Sequence, residues 1–157
     1  SYDDDPTLDW IIEKIEAAVL RTGVKVVVLD PWNEIDHRKA DGDSLTVYVG
    51  NAIRLLKRVA AQFGVHVMVV AHPTKMRQQE DGTFDVPSLY SISDSANWAN
   101  KADLGAVVYR LDQNLTLFRT LKSRYHDQIG RPGQRKMSFS NHSGRFHVQH
   151  ETDAFLD

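Results

Sequence analysis

Two almost purely apolar runs frame the first half of the chain. Val24-Lys25-Val26-Val27-Val28-Leu29 ends in Asp30, and Val65-His66-Val67-Met68-Val69-Val70-Ala71 ends in His72. Runs of this kind predict parallel strands buried on both faces. Between them Leu45, Val49, Ile53, Leu56, Ala60 and Phe63 recur at helical spacing, with Asp43 or Ser44 as cap and Gly64 as stop. Ahead of the first run, Leu8, Ile11, Ile12, Ile15 and Val19 form another stripe. There Asp5 is the predicted N-cap, Pro6 the first helical residue and Gly23 the stop. Residues 31–42 are polar and predict a loop, and residues 73–89 a second, turn-rich one. A short helix over 93–101 leads into a strand over 104–109. After a tight turn at Asp112-Gln113-Asn114 comes a strand over 115–122. Gly130 to Gly133 is a turn, and 136–140 with 145–149 form a closing hairpin. The order predicts an α/β fold: a mostly parallel sheet flanked by helices, with an antiparallel hairpin at the C-terminal edge.

At 157 residues the chain fits one domain. A net charge of -2 gives no global pull towards nucleic acid or membrane, so any such contact must be local. The charge is uneven: Asp3-Asp4-Asp5 opens the chain, and residues 119–136 are strongly basic, with Asp127 as their sole acid. Cysteine is absent, which excludes disulfides, thiolate zinc sites and cysteine nucleophiles and fits a cytosolic protein. No apolar run has the length of a membrane span, and no signal-peptide pattern is seen. The chain starts at Ser1 rather than Met, as a piece excised from something longer would.

In open parallel sheets ligands bind beyond the carboxyl ends of the strands, where Asp30 and His72 are expected. An apolar strand ending in Asp is how nucleotide-driven motors hold Mg²⁺; the plainer alternative is an Asp that caps a turn. His72 can donate to a phosphate or merely cap the turn before Pro73. Lys122 and Arg124, two residues apart on an extended segment, share one side of it and suit phosphate oxygens. Their plainer reading is a solvated basic edge. Gly42-Asp43-Ser44-Leu45 matches a serine-esterase motif, but no Asp after Leu45 has a His three residues on, and Ser44 reads as a helix cap. Asp30, Glu34, Asp36, His37 and His72 have the chemistry of a metal-hydrolase site, without the spacing of a rigid ligand motif.

Asp30, His72 and Lys122-Ser123-Arg124, in this order, resemble the RecA-like motor of ring-shaped replicative DNA helicases of the phage primase-helicase, Twinkle and DnaB type. Val26 to Asp30 is similar to the Walker B strand, and Val67 to His72 to the strand that ends in the γ-phosphate sensor. Asp94-Ser95-Ala96-Asn97-Trp98-Ala99-Asn100-Lys101-Ala102-Asp103 resembles the segment between a DNA-facing loop and a core strand. Asp94 and Asn100 stand there where the family often has Gly and Gln. Leu121 to Tyr125 resembles the strand that carries an arginine finger. The resemblance spans Val24 to Phe146. It implies that Asp30 holds Mg²⁺ through water, that His72 senses the γ-phosphate, and that Arg124 with Lys122 reaches a neighbouring subunit's nucleotide. Arg38, Lys39, Lys75 and Arg77 become candidates for contact with single-stranded DNA. ATP or another NTP, a homo-oligomeric ring of about six subunits, no membrane, and a bacterial or phage-encoded cytoplasmic setting are implied in the same way.

One motif is missing. A phosphate loop needs Gly-x-x-x-x-Gly-Lys-Ser/Thr, and no Gly-Lys pair occurs in the chain. The expectation is therefore a single partial motor domain over residues 1–157, without its phosphate-loop portion and inactive by itself. Two other readings stay open: a non-catalytic RecA-like binding or assembly module, and the metal-dependent hydrolase.

Overall fold

The computed structural model describes residues 6–37, 42–74, 78–79, 84–92 and 96–149. They fall into two compact units. One is built from residues 1–77 and 90–102, the other from 78–89 and 103–157.

In the first unit, helix α1 spans Leu8–Thr22. Thr7 is its cap, the Thr7 hydroxyl accepting from the Trp10 N–H at 3.2 Å, and the expected cap, Asp5, lies outside the described residues. Pro6 therefore precedes the helix. Gly23 closes it at φ 66°, a left-handed conformation in which a side chain is strained, so glycine is favoured. Strand β1 (Val26–Leu29) and strand β2 (His66–Val69) pair in parallel, Val26 opposite His66 and Leu29 opposite Val69. Helix α2 (Leu45–Phe63) connects them, with the Ser44 hydroxyl accepting from the Val47 N–H. The serine thus has the capping role expected of it. Helix α3 (Asn97–Lys101) lies against α2.

The parallel pair departs from expectation. Val27, Leu29, Val67, Val69 and Ala71 pack on the core made by α1 and α2. On the other face Val26 is 58% exposed and Val28 53%, and Met68 is also open. The strands are buried on one face only. Apolar composition reported the demand for cover; it could not report which described residues supply it. The segment after β1 also differs from a simple loop. Trp32–Glu34 is a turn of 3₁₀ helix, and both Trp32 and Ile35 are buried in the core.

The second unit is an antiparallel meander in the order β3-β4-β5-β6, with strands Leu104–Arg110, Leu115–Ser123, Gln134–Ser140 and Arg145–Val148. The antiparallel flank is thus four strands wide, and its last two form the expected hairpin. The turn from β3 to β4 is built by Asp112, whose carboxylate accepts from the N–H groups of Asn114 and Leu115. A helical turn, α4 (His126–Ile129), precedes the glycine turn at 130–133. Among the described residues no helix is long and apolar enough to cross a membrane.

Candidate functional site

The ladder between β1 and β2 brings Asp30 and His72 to the carboxyl end of the parallel pair. Val70 donates to the Leu29 carbonyl at 2.8 Å and accepts from the Trp32 N–H at 2.8 Å, so it lies opposite Asp30. Pro31 has no N–H to continue the ladder, and Trp32 takes that bond instead. Side chains alternate along a strand. With Val27, Leu29, Val67, Val69 and Ala71 turned to the core, Asp30 continues the open row of Val26 and Val28. On β2, His66 and Met68 form the matching open row, and His72 follows three residues after the end of that strand. Asp30 and His72 are both exposed. A carboxylate and an imidazole thus both lie at the carboxyl end of the parallel pair.

Below them, the segment following Asp30 is fixed by aromatic packing. Trp32 meets Trp98 edge-on at 5.1 Å between ring centroids, and His37 lies over Trp32 at 4.8 Å. His37 Nδ1 is 3.3 Å from the Tyr48 hydroxyl oxygen. Burial, then the negative charges of Asp36 and Asp9, push the Tyr48 hydroxyl above the ordinary tyrosine range. This cluster lies outside the sequence reading. Its rings come from three separate elements, and no periodicity joins them.

In the second unit Lys122 pairs with Gly105 and Thr120 with Ala106, leaving Leu121 as a bulge. Gly105 and Ala106 point to opposite faces, so the bulge sets Lys122 on the other face from Thr120 and Phe118. Lys122 is half-buried beside Gly105. A Cβ on Gly105 would come within 2.5 Å of Leu89 Cδ1, so the glycine is what lets Leu89 cross there. Arg124, one residue past β4, donates its N–H to the Asp103 carbonyl at 2.8 Å. Its side-chain Nε lies 3.3 Å from Asp103 Oδ1. Asp103 carried no role in the sequence reading. Only the strand register shows that it faces Arg124.

The remaining candidates divide plainly. Arg38, Lys39, Lys75 and Arg77 lie outside the described residues, as does Asp94. Asp30, Glu34, Asp36, His37 and His72 are all described, yet no three His, Asp or Glu among the described residues gather as a metal site. That removes the geometric basis for the metal-hydrolase reading. A single carboxylate is another matter. Mg²⁺ takes one or two protein carboxylates with water and substrate phosphates completing its shell, and the exposed Asp30 carboxylate is the hard oxygen donor such an arrangement needs.

Comparison with known proteins bears on the fold. A family described as an AAA domain matches residues 1–78. A Twinkle homolog protein of Arabidopsis thaliana, described as chloroplastic/mitochondrial, is 40% identical over 108 residues. That covers 69% of this chain and 15% of the relative. A solved DnaB-like replicative helicase, described together with its interactions with primase, superposes at a TM-score of 0.71 with 22% identity. The match covers 90% of this chain and 34% of that one, and it shows a common fold. The chain thus spans a small part of the relatives it matches.

Proposed function

We propose that this chain belongs to a RecA-like motor domain of the replicative-helicase type and supplies the later half of an NTP-hydrolysing motor that moves along single-stranded DNA as a ring. What supports the reading is that Asp30 and His72, both exposed, follow the carboxyl ends of two paired parallel strands. In this reading Asp30 would hold Mg²⁺, which would supply charge neutralisation on the phosphates of the nucleotide. His72 donates a hydrogen bond towards the γ-phosphate and loses that partner after hydrolysis. Trp32 and His37, tied to Trp98 and Tyr48, hold the segment that follows Asp30.

Arg124 and Lys122 serve a different nucleotide, that of the neighbouring subunit. A guanidinium offers a planar fork to phosphate oxygens and stabilises charge that develops during transfer. The four loop cations Arg38, Lys39, Lys75 and Arg77 would contact the DNA backbone.

The test is hydrolysis by the full-length protein carrying Arg124→Ala. DNA-stimulated turnover falls by about three orders of magnitude if the arginine acts as a finger in trans. Turnover at the unaltered rate would remove that role. The alternative, a non-catalytic assembly module, predicts that the full-length protein assembles but does not turn over NTP, so the same assay separates the two.

A further inference from the structure

We propose that Asp103 is the positioning residue for Arg124: it sets the direction of the guanidinium before a nucleotide is engaged and releases it as phosphate charge arrives. The inference rests on the arginine-finger reading above and adds to it a device that aims the finger.

The geometry is a two-point hold. Asp103 directly precedes Leu104, the first residue of β3, and Arg124 directly follows Ser123, the last of β4. Leu104 and Ser123 are partners, so Asp103 and Arg124 extend the ladder by one step. The Arg124 N–H donates to the Asp103 carbonyl at 2.8 Å, and Nε reaches Oδ1 at 3.3 Å. Backbone and side chain of one residue are thus fixed by backbone and carboxylate of another. The bulge at Leu121 is part of the same device. It resets the alternation of β4 just before Lys122, and so decides the face from which the two cations leave the sheet.

Three physical points favour positioning over simple stabilisation. First, the side chains are 41% and 34% exposed, and an ion pair this open to water contributes little to stability. Second, a long arginine side chain at a strand end has many rotamers, and a contact that restricts them removes part of the ordering cost at the moment of phosphate binding. Third, the contact is made at Nε. A contact there sets the plane of the guanidinium, whose terminal amino groups have the spacing that suits two phosphate oxygens. The weakness of the pair is then useful: a polyphosphate outcompetes one carboxylate for the arginine.

The experiment is steady-state NTP hydrolysis by the full-length protein with Asp103→Ala, Asp103→Asn, Arg124→Lys and the double variant Asp103→Ala/Arg124→Lys, with ring assembly checked by size-exclusion chromatography. For Asp103→Ala the expected result is kcat lower by about tenfold with KM changed less than about twofold. Asp103→Asn keeps an acceptor oxygen and should lose less, about threefold. In the Arg124→Lys background Asp103→Ala should lower kcat no further, because lysine has no Nε–H fork to aim. A merely structural Asp103 would cost the same in both backgrounds, and that result overturns the proposal. So does normal kcat in Asp103→Ala while Arg124→Ala is inactive, an outcome that leaves the finger itself standing. Normal turnover in Arg124→Ala overturns both.

Discussion

Lys101 Nζ donates to the Gly50 carbonyl at 3.1 Å, across the contact between α2 and α3. Asn97 Nδ2 donates to the Thr46 carbonyl at 2.9 Å, and Lys57 Nζ to the Lys101 carbonyl at 3.3 Å. The short helix is thereby joined to the long one by three side-chain-to-backbone bonds. Five residues are too few to be helical by propensity alone, so α3 depends on these contacts and on Trp98.

Gly50 is the position where that dependence can be measured. A Cβ there would lie 2.7 Å from Lys101 Nζ and 2.8 Å from Asn97 Nδ2. Both are ends of flexible side chains and can move, but moving them weakens two hydrogen bonds. Alanine gains roughly 1 kcal/mol of helix propensity over glycine, while two lost bonds cost about 2. Gly50→Ala should therefore destabilise by about 1 kcal/mol in chemical denaturation. With Lys101 and Asn97 both changed to Ala, the same substitution should become stabilising. A stabilising Gly50→Ala in the otherwise unaltered chain would show that the bonds to α3 carry no weight.

Tyr48 gives a pH dependence. Its hydroxyl titrates above the usual tyrosine range in the folded protein, first because it is buried and then because Asp36 and Asp9 repel the phenolate. A raised folded value means that the folded state holds the proton more tightly. The stabilisation is complete below the unfolded value, about 10, and is lost as pH rises through the folded one. Stability should fall above about pH 10, and Tyr48→Phe should flatten that part of the fall. At pH 7 the same variant should cost about 1 kcal/mol, through loss of the bond to His37. An unchanged alkaline limb in the variant would assign the fall to other groups.

The parallel pair offers a matched comparison of its two faces. Val28 is 53% exposed, whereas Leu29, its neighbour, packs on the core. Val28→Thr should change the stability of the 157-residue protein by less than about 0.5 kcal/mol, and Leu29→Ala should cost about 2. Equal costs at the two positions would mean that the outer face is covered as well.

Asp30 and His72 should separate by the step they affect. Asp30→Ala in the full-length protein should raise the Mg²⁺ concentration needed for half-maximal hydrolysis by about tenfold or more. His72→Ala should leave that requirement near its original value and reduce DNA-stimulated turnover by about tenfold instead. A Mg²⁺ titration of both variants checks this. Identical Mg²⁺ curves for Asp30→Ala and the unaltered protein would detach the carboxylate from the metal.

How much was legible in the chain follows from the range of each signal. Gly23, Ser44 and Gly64 act within four residues of themselves, so those helix ends were readable; the Thr7 cap was missed, because only its bond to the Trp10 N–H identifies it. Asp30 and His72 were readable as strand-end residues, because each closes its own apolar run. That they lie at the same end of one parallel pair required the pairing of β1 with β2.

Local order, then, was determined by the sequence alone: the succession of helices and strands, their glycine stops and the α/β class. These depend on contacts a few residues long, which periodicity and capping chemistry report directly. Tertiary structure decided which face of the parallel pair is open, on which side of the meander Lys122 leaves the sheet, that Trp32, His37, Tyr48 and Trp98 meet, and that Asp103 holds Arg124. Each of these depends on register or packing between segments distant along the chain. A one-residue bulge is enough to reverse the outcome, and no local pattern encodes it.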